Sequence, residues 1–367
     1  YAAMFGLSIA LGPVLGGTLV DAVGWRAVFV VNVPVGALAV LATHRFVPES
    51  RAERPRRVDP VGQLLVIAGL ASLTYGTIEG PDHGWASTDI VAALAVAALA
   101  LAAFVPYELR RREPLLDVRW FRSAPFSGAG AIAVCAFAAL GAFLFLNTLY
   151  LQDARGLSPF RAGLCMLPMA LMVLIFAPLS GRLVGSRGPR PPLLAAGFAL
   201  TAAATMLTQL RVDSSIAYIL IAYTVFGVGV GLVNPPITNT AVSGMPASQA
   251  GVAAAVASTS RQVGLTLGVA LAGALAGGSA ALNGDGAAGF IAAARPAWWM
   301  VLGAAAAQLS ALRDLAEQAR REQGVWMAAS MADAMRLPDA SATVLAREHE
   351  RAASTLPGVR VSVVDEA

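Results

Sequence analysis

No set of residues in this chain is arranged for making or breaking covalent bonds. The three histidines, His44, His83 and His349, are far apart in sequence, and no metal-ligand spacing joins them to a cysteine. Cys135 and Cys165 both sit inside apolar runs, which argues against a disulfide framework. Asp21, Asp59, Glu79, Asp82 and Asp153 fall at the ends of apolar runs or between them. No GxxxxGK[ST] phosphate loop occurs, so no cofactor is expected and ATP is not expected as an energy source. What remains are polar side chains embedded in apolar stretches, whose chemistry is hydrogen bonding and charge placement. Asn147, Tyr150 and Gln152 stand near one end of the run 126–151, where they either line a solute cavity or bond neighbouring helices. Asn234 and Asn239 flank Pro235 and Pro236 at an expected helix end, and suit either a substrate-facing broken helix or simple capping. Arg182, Arg187, Arg190 and Arg261 lie at the borders of apolar runs, as gating residues or as anchors among cytoplasmic headgroups.

The elements that must position these residues are membrane helices. Hydrophobic residues make up 57% of the 367-residue chain and charged residues 13%, with a mean hydropathy of +0.67. A soluble domain carries about 25% charged residues. A spanning helix needs about 20 apolar residues, and ten candidates follow, at 3–22, 27–43, 61–79, 88–107, 126–151, 161–180, 193–210, 215–235, 251–277 and 296–312. None shows the alternation of barrel strands, and unpaired backbone groups in lipid cost several kcal/mol each. The fold class is therefore an all-α integral membrane protein. All cationic residues except histidine are arginines, and they concentrate in the loops after even-numbered spans, as at Arg45, Arg51, Arg54, Arg56, Arg57, Arg110, Arg111 and Arg112. Arg26, Arg155, Arg161, Arg211 and Arg295 populate the opposite loops more sparsely. This asymmetry reports cytoplasmic loops rather than a nucleic-acid partner, and the net charge of +4 belongs to it. Trp25, Trp298 and Trp299 then fall at outer helix starts, where an aromatic belt belongs. Cys165, Met166 and Met169 read as core or lipid-facing residues.

Two stripes of small residues carry the strongest local signal. Ser8, Gly12 and Gly16 recur at i, i+4 and i+8 around Pro13, and Gly17 follows. Ser260, Gly264, Gly268, Ala272 and Ala276 form a second stripe. Such faces let two helix backbones approach closely, and they also suit a hinge or sliding surface. Pro13 cannot donate to the carbonyl of Ile9, which favours a bend.

The context of the first stripe is more specific. Gly12, Pro13, Gly16 and Gly17 spell GPxxGG, followed by WRxxFxxNxPxG at Trp25, Arg26, Phe29, Asn32, Pro34 and Gly36. RVDPVG at 57–62, IEGPDHGW at 78–85, EPLLDVRWFRSAPFS at 113–127, YLQDARGLSPFRAGLCMLP at 150–168 and SRQVGLTLGVAL at 260–271 continue the pattern. The chain resembles, over about residues 1–305, the fourteen-helix drug:proton antiporter family of the major facilitator superfamily. The resemblance implies helices five to fourteen of that plan. Residues 1–45 would close the N-terminal half, 46–125 would form two linker helices, 126–312 the six-helix C-terminal half and 313–367 a polar cytoplasmic tail. It implies multidrug efflux across the bacterial inner membrane by alternating access, with protons and small amphipathic or cationic molecules as partners in a lipid bilayer. Ser8, Gly12, Pro13, Gly16 and Gly17 would be the antiporter motif. Because residue 1 already lies within an apolar run, the chain is expected to be N-terminally truncated, to lack the proton-coupling acid and not to transport as given. Alternatives are an inactive remnant or an exporter of another solute such as a self-made antibiotic. GRLVGSRGPR at 181–190 departs from the family's cytoplasmic gating motif, with Gly185 and Ser186 where an acid and a base are expected.

Overall fold

The structure is a computed structural model that describes residues 2–48, 59–111, 114, 116–243, 249–276, 289, 291–292 and 294–308, with side chains at 2–11 and 124 excepted. The expected tail, 313–367, lies outside the described residues. Each expected span overlaps helix among the described residues, with 27–43 and 161–180 each divided between two helices and 309–312 outside the described residues. The order is α1 Ala2–Ala22, α2 Arg26–Val30, α3 Asn32–Phe46, α4 Pro60–His83, α5 Thr88–Arg110, α6 Ala124–Leu149, α7 Pro159–Cys165, α8 Leu167–Arg187, α9 Arg190–Leu207, α10 Ile216–Ser243 and α11 Ala250–Leu275. A further helix, α12, covers 294–308. Among the described residues six helical segments are long and apolar enough to cross a membrane: Ala27–Phe46, Pro60–His83, Thr88–Arg110, Pro125–Ala154, Pro159–Arg187 and Ile216–Ser243. No strand occurs among the described residues.

Local chemistry explains the boundaries. Asp59 caps α4 by accepting from the Gly62 N–H at 3.0 Å, with Pro60 at the first helical position. Ser158 and Pro159 open α7 in the same way. α8 ends at Gly188, whose φ of 80° suits glycine. Most of the 181–190 motif, expected as a loop, is thus the last two turns of α8, and only Gly188 and Pro189 separate it from α9.

Another expectation fails at Pro235 and Pro236. The second apolar half was expected to have a helix end there, yet α10 continues to Ser243. Pro236 cannot donate to the carbonyl of Leu232, and the Ser180 hydroxyl of α8 donates to that oxygen instead, at 2.7 Å. A neighbouring helix has satisfied the group the proline freed, which is how membrane helices tolerate internal proline. α10 runs between α8 and α9 and reaches α6. Gly227 abuts the Met169 backbone on α8 and Gly229 sits against Leu200 on α9.

α4 and α5 form an antiparallel hairpin with a glycine seam. Gly62, Gly69 and Gly76 are buried at seven-residue intervals on α4. They receive Glu108, Leu101 and Leu94, spaced alike on α5. Polar contacts lock one end. Asp59 Oδ1 accepts from the Tyr107 hydroxyl at 2.9 Å and faces the Arg111 guanidinium at 3.5 Å. Burial disfavours the ionised Asp59, but the Gly62 N–H, Tyr107 and Arg111 together outweigh it and hold its pKa below the ordinary 3.8. α4 in turn packs on α11.

Candidate solute-binding cleft

α1 packs against α7 and α8, and it meets α7 backbone to backbone. A Cβ at Gly17 would lie 2.6 Å from the Pro159 carbonyl oxygen, and one at Gly163 would lie 2.5 Å from that of Pro13. The two glycines are reciprocal notches, each filled by the partner helix. One polar link accompanies them: the Phe160 N–H donates to Asp21 Oδ2 at 3.1 Å.

Beside this contact a cavity of about 380 Å³ opens between α1 and the α6–α7 turn. Pro13, Gly16, Gly17, Val20 and Val28 form one wall, and Leu144, Asn147, Thr148, Leu151, Gln152, Pro159, Ala162, Gly163 and Met166 form the other. No lining residue is ionisable. Thr148 satisfies its hydroxyl on the Leu144 carbonyl within its own helix. Asn147 is different. It is 1% exposed, and its amide nitrogen donates to the Met166 sulfur at 2.8 Å. A thioether has no proton to offer, so the amide orientation follows. The Asn147 oxygen finds no partner among the described residues. A buried acceptor without a donor costs about 1–3 kcal/mol.

The structure therefore brings together Pro13, Gly16 and Gly17 with Asn147 and Gln152, which sequence reasoning had treated as separate groups. Gly12 is exposed with open space around its Cα, and the side chain of Ser8 lies outside the described residues. Tyr150 is a correction. It lines no part of this cavity but is buried, with its hydroxyl donating to the Arg211 carbonyl at 2.8 Å. The cause is a turn of π-helix at Tyr150–Ala154, which closes a hydrogen bond from Arg155 N to Tyr150 O and shifts the register after α6. Asn234 is half-buried on α10 and also outside the lining. Met166, read from sequence as core or lipid-facing, contributes to the cavity wall. Met166 caps the junction between α7 and α8, a placement its sequence context does not mark.

Comparison with known proteins decides the family. The sequence profile of the Major Facilitator Superfamily matches residues 1–269. The chain belongs to that superfamily. Among the superfamily's curated members, the multidrug resistance protein Stp of Mycobacterium tuberculosis is 39% identical over 273 residues, covering 74% of this chain and 51% of Stp. A tetracenomycin C resistance and export protein of Streptomyces glaucescens is 38% identical over 276 residues, with coverage of 74% and 51%. A methylenomycin A resistance protein of Streptomyces coelicolor is 33% identical over 279 residues, with coverage of 74% and 57%. The chain spans about half the length of these relatives.

Membership in a superfamily of transporters directs attention to the opposite end of the bundle. Arg182, Arg187 and Arg190 are exposed around the α8–α9 corner, and among the described residues no carboxylate pairs with them. The Ser186 hydroxyl turns back to the Arg182 carbonyl at 3.0 Å, so the position where the superfamily motif expects a base caps its own helix. Arg261, expected either as a gating residue or as a headgroup anchor, is half-buried and donates to Thr238 Oγ1 at 3.0 Å, joining α11 to the extension of α10 beyond Pro236. Trp298, expected at the interface, is 4% exposed and faces the bundle, whereas Trp25 and Trp299 are 62% and 58% exposed as a belt requires.

Proposed function

We propose that this protein serves as a drug exporter of the bacterial cell membrane, moving small amphipathic molecules, cationic ones among them, in exchange for protons. The uncharged 380 Å³ cavity with the Asn147 amide in its wall carries this reading. Its apolar lining suits a hydrophobic body, and its single buried acceptor suits one N–H or O–H group. The cavity forms where α1 meets α6 and α7, between helices that sequence reading assigns to opposite halves, which is where alternating access would open and close a path. The names of the relatives, multidrug resistance and antibiotic resistance and export, point the same way. A second reading, export of a self-made antibiotic, draws support from the tetracenomycin C and methylenomycin A relatives. Neither reading involves bond-making chemistry or ATP.

Ethidium, which is apolar in body and carries amino donors, tests the cavity. Asn147→Leu keeps the volume and removes the acceptor, and about tenfold weaker ethidium binding to the purified protein is expected. Unchanged affinity would remove Asn147 from the site. In vesicles carrying the protein, any ethidium movement is expected to stop with a protonophore and to ignore ATP depletion. Movement that survives loss of the gradient would end the proton-exchange reading.

A further inference from the structure

At the end of the bundle where α9 gives way to α10, a second pocket of about 320 Å³ has a different character. Its lining includes Thr208, Gln209, Arg211, Ser214, Tyr218 and Arg295. The hydroxyls of Thr208 and Tyr218 are engaged with the carbonyls of Thr205 and Met206, and the Ser214 hydroxyl accepts from the Arg211 N–H at 2.9 Å. The backbone oxygens of the loop are engaged as well. Arg211 O receives the Tyr150 hydroxyl, and the carbonyls of Val212 and Ser214 receive Arg155 Nη1 at 2.7 and 2.6 Å. Each of those three carbonyls thus already accepts at least one hydrogen bond. Among the described residues no carboxylate lines the pocket; Asp213 of the same loop is exposed and outside the lining. The result is a loop strapped from behind by two side chains of the α6 extension, beside a pocket whose lining brings Arg211 and Arg295 together with no carboxylate partner among the described residues.

Depth supplies a second observation. Arg295 lies one turn before Trp299 on α12, and Trp299 is 58% exposed. An exposed tryptophan at a helix start marks the boundary between hydrocarbon and headgroups. The pocket therefore opens at the level where phosphodiesters are densest.

We propose that this pocket is a phosphate site, with Arg211 and Arg295 clamping the phosphate oxygens of an anionic lipid headgroup. Guanidinium forks match phosphate bidentately, and each is worth more than a point charge. The proposal does not depend on the transport reading, because it concerns a different pocket and a different ligand.

The test reconstitutes the 367-residue chain in nanodiscs of phosphatidylcholine with or without phosphatidylglycerol. Native mass spectrometry counts retained phosphatidylglycerol, and thermal unfolding reads its stabilising effect. The unaltered protein is expected to retain phosphatidylglycerol and to unfold at a higher temperature with it. Arg211→Gln combined with Arg295→Gln is expected to retain about tenfold less, and the two Arg→Lys changes are expected to fall between. Both arginines are exposed, so the variants should fold, which circular dichroism checks. Inorganic phosphate is the second arm. If it raises the unfolding temperature in pure phosphatidylcholine, and only when both arginines are present, the same site draws free phosphate. Equal lipid retention in the double variant and the unaltered protein, without a phosphate effect, would overturn the proposal. So would an equal loss in Arg182→Gln combined with Arg187→Gln, since that would reduce the effect to unspecific charge.

Discussion

The α6–α11 seam and the α1–α7 contact are built from the same residue type and do different things. Along α6 and α11 the notches are closed. A Cβ at Gly264 or Gly268 would overlap the carbonyls of Val134 and Ala138, and one at Gly141 would overlap that of Leu265. Glycines from both helices alternate down the seam, so neither can shift without losing contact along much of its length. The α1 stripe is divided. Gly17 is a closed notch, Gly16 looks onto the cavity, and Gly12 is open. A small-residue stripe is therefore a permission for close approach, and only the partner decides how many of its positions use it. The continuous seam makes a rigid pair; the interrupted one leaves room beside a single tight contact, and that room is the candidate site.

Substitution by bulk separates the two. Gly268→Val should be the most damaging change, costing about 3 kcal/mol or more because the obstacle is backbone that cannot rotate away. Size-exclusion profiles and thermal unfolding in detergent check it, and a normally folded protein would mean that α6 and α11 are looser than they look. Gly17→Val should cost somewhat less, about 2 kcal/mol, while Gly16→Ala, facing the cavity, should leave unfolding temperature unchanged and alter ethidium binding. Equal effects of Gly16 and Gly17 changes would erase the division of the stripe.

The α4–α5 hairpin gives the smallest and most pH-sensitive contrast, since its glycine seam is locked by Asp59 rather than by backbone alone. The pKa of folded Asp59 lies below 3.8, so its contribution is complete above the unfolded value and drains away as pH falls through the folded one. Asp59→Ala should lower the unfolding temperature by a few degrees near neutral pH. The gap between variant and unaltered protein should narrow as the pH drops below about 4. A gap that stays constant into acid would show that the carboxylate charge is not what locks the hairpin.

The helices were legible because the bilayer imposes their length and composition, and each expected span overlaps helix among the described residues. Misreadings share one cause, a partner distant in sequence. Pro235 and Pro236 look like a stop until Ser180, on another helix, supplies the missing donor. Arg261 looks like an anchor until Thr238 is brought beside it. Asn147 and Tyr150 are three residues apart and looked equivalent, but the π-helical turn after α6 and the packing of α10 send them to different surroundings. The glycines at 62, 69 and 76 were readable as a heptad seam in the sequence itself, whereas their α5 partners became visible only once the hairpin was seen to be antiparallel.

The hydrogen bond from Ser180 to Leu232 has a mechanical meaning. It pins two long helices at one height, with Gly227 seated on the Met169 backbone further along the pair. A slide of one residue, about 1.5 Å, would strand the Leu232 oxygen in hydrocarbon and drive the Met169 backbone out of its notch. α8 and α10 thus behave like a keyed shaft, free to tilt together and forbidden to slip. Any relative motion that involves α8 and α10 has to be a swing of the keyed pair, with the slippage displaced to surfaces that carry no such key.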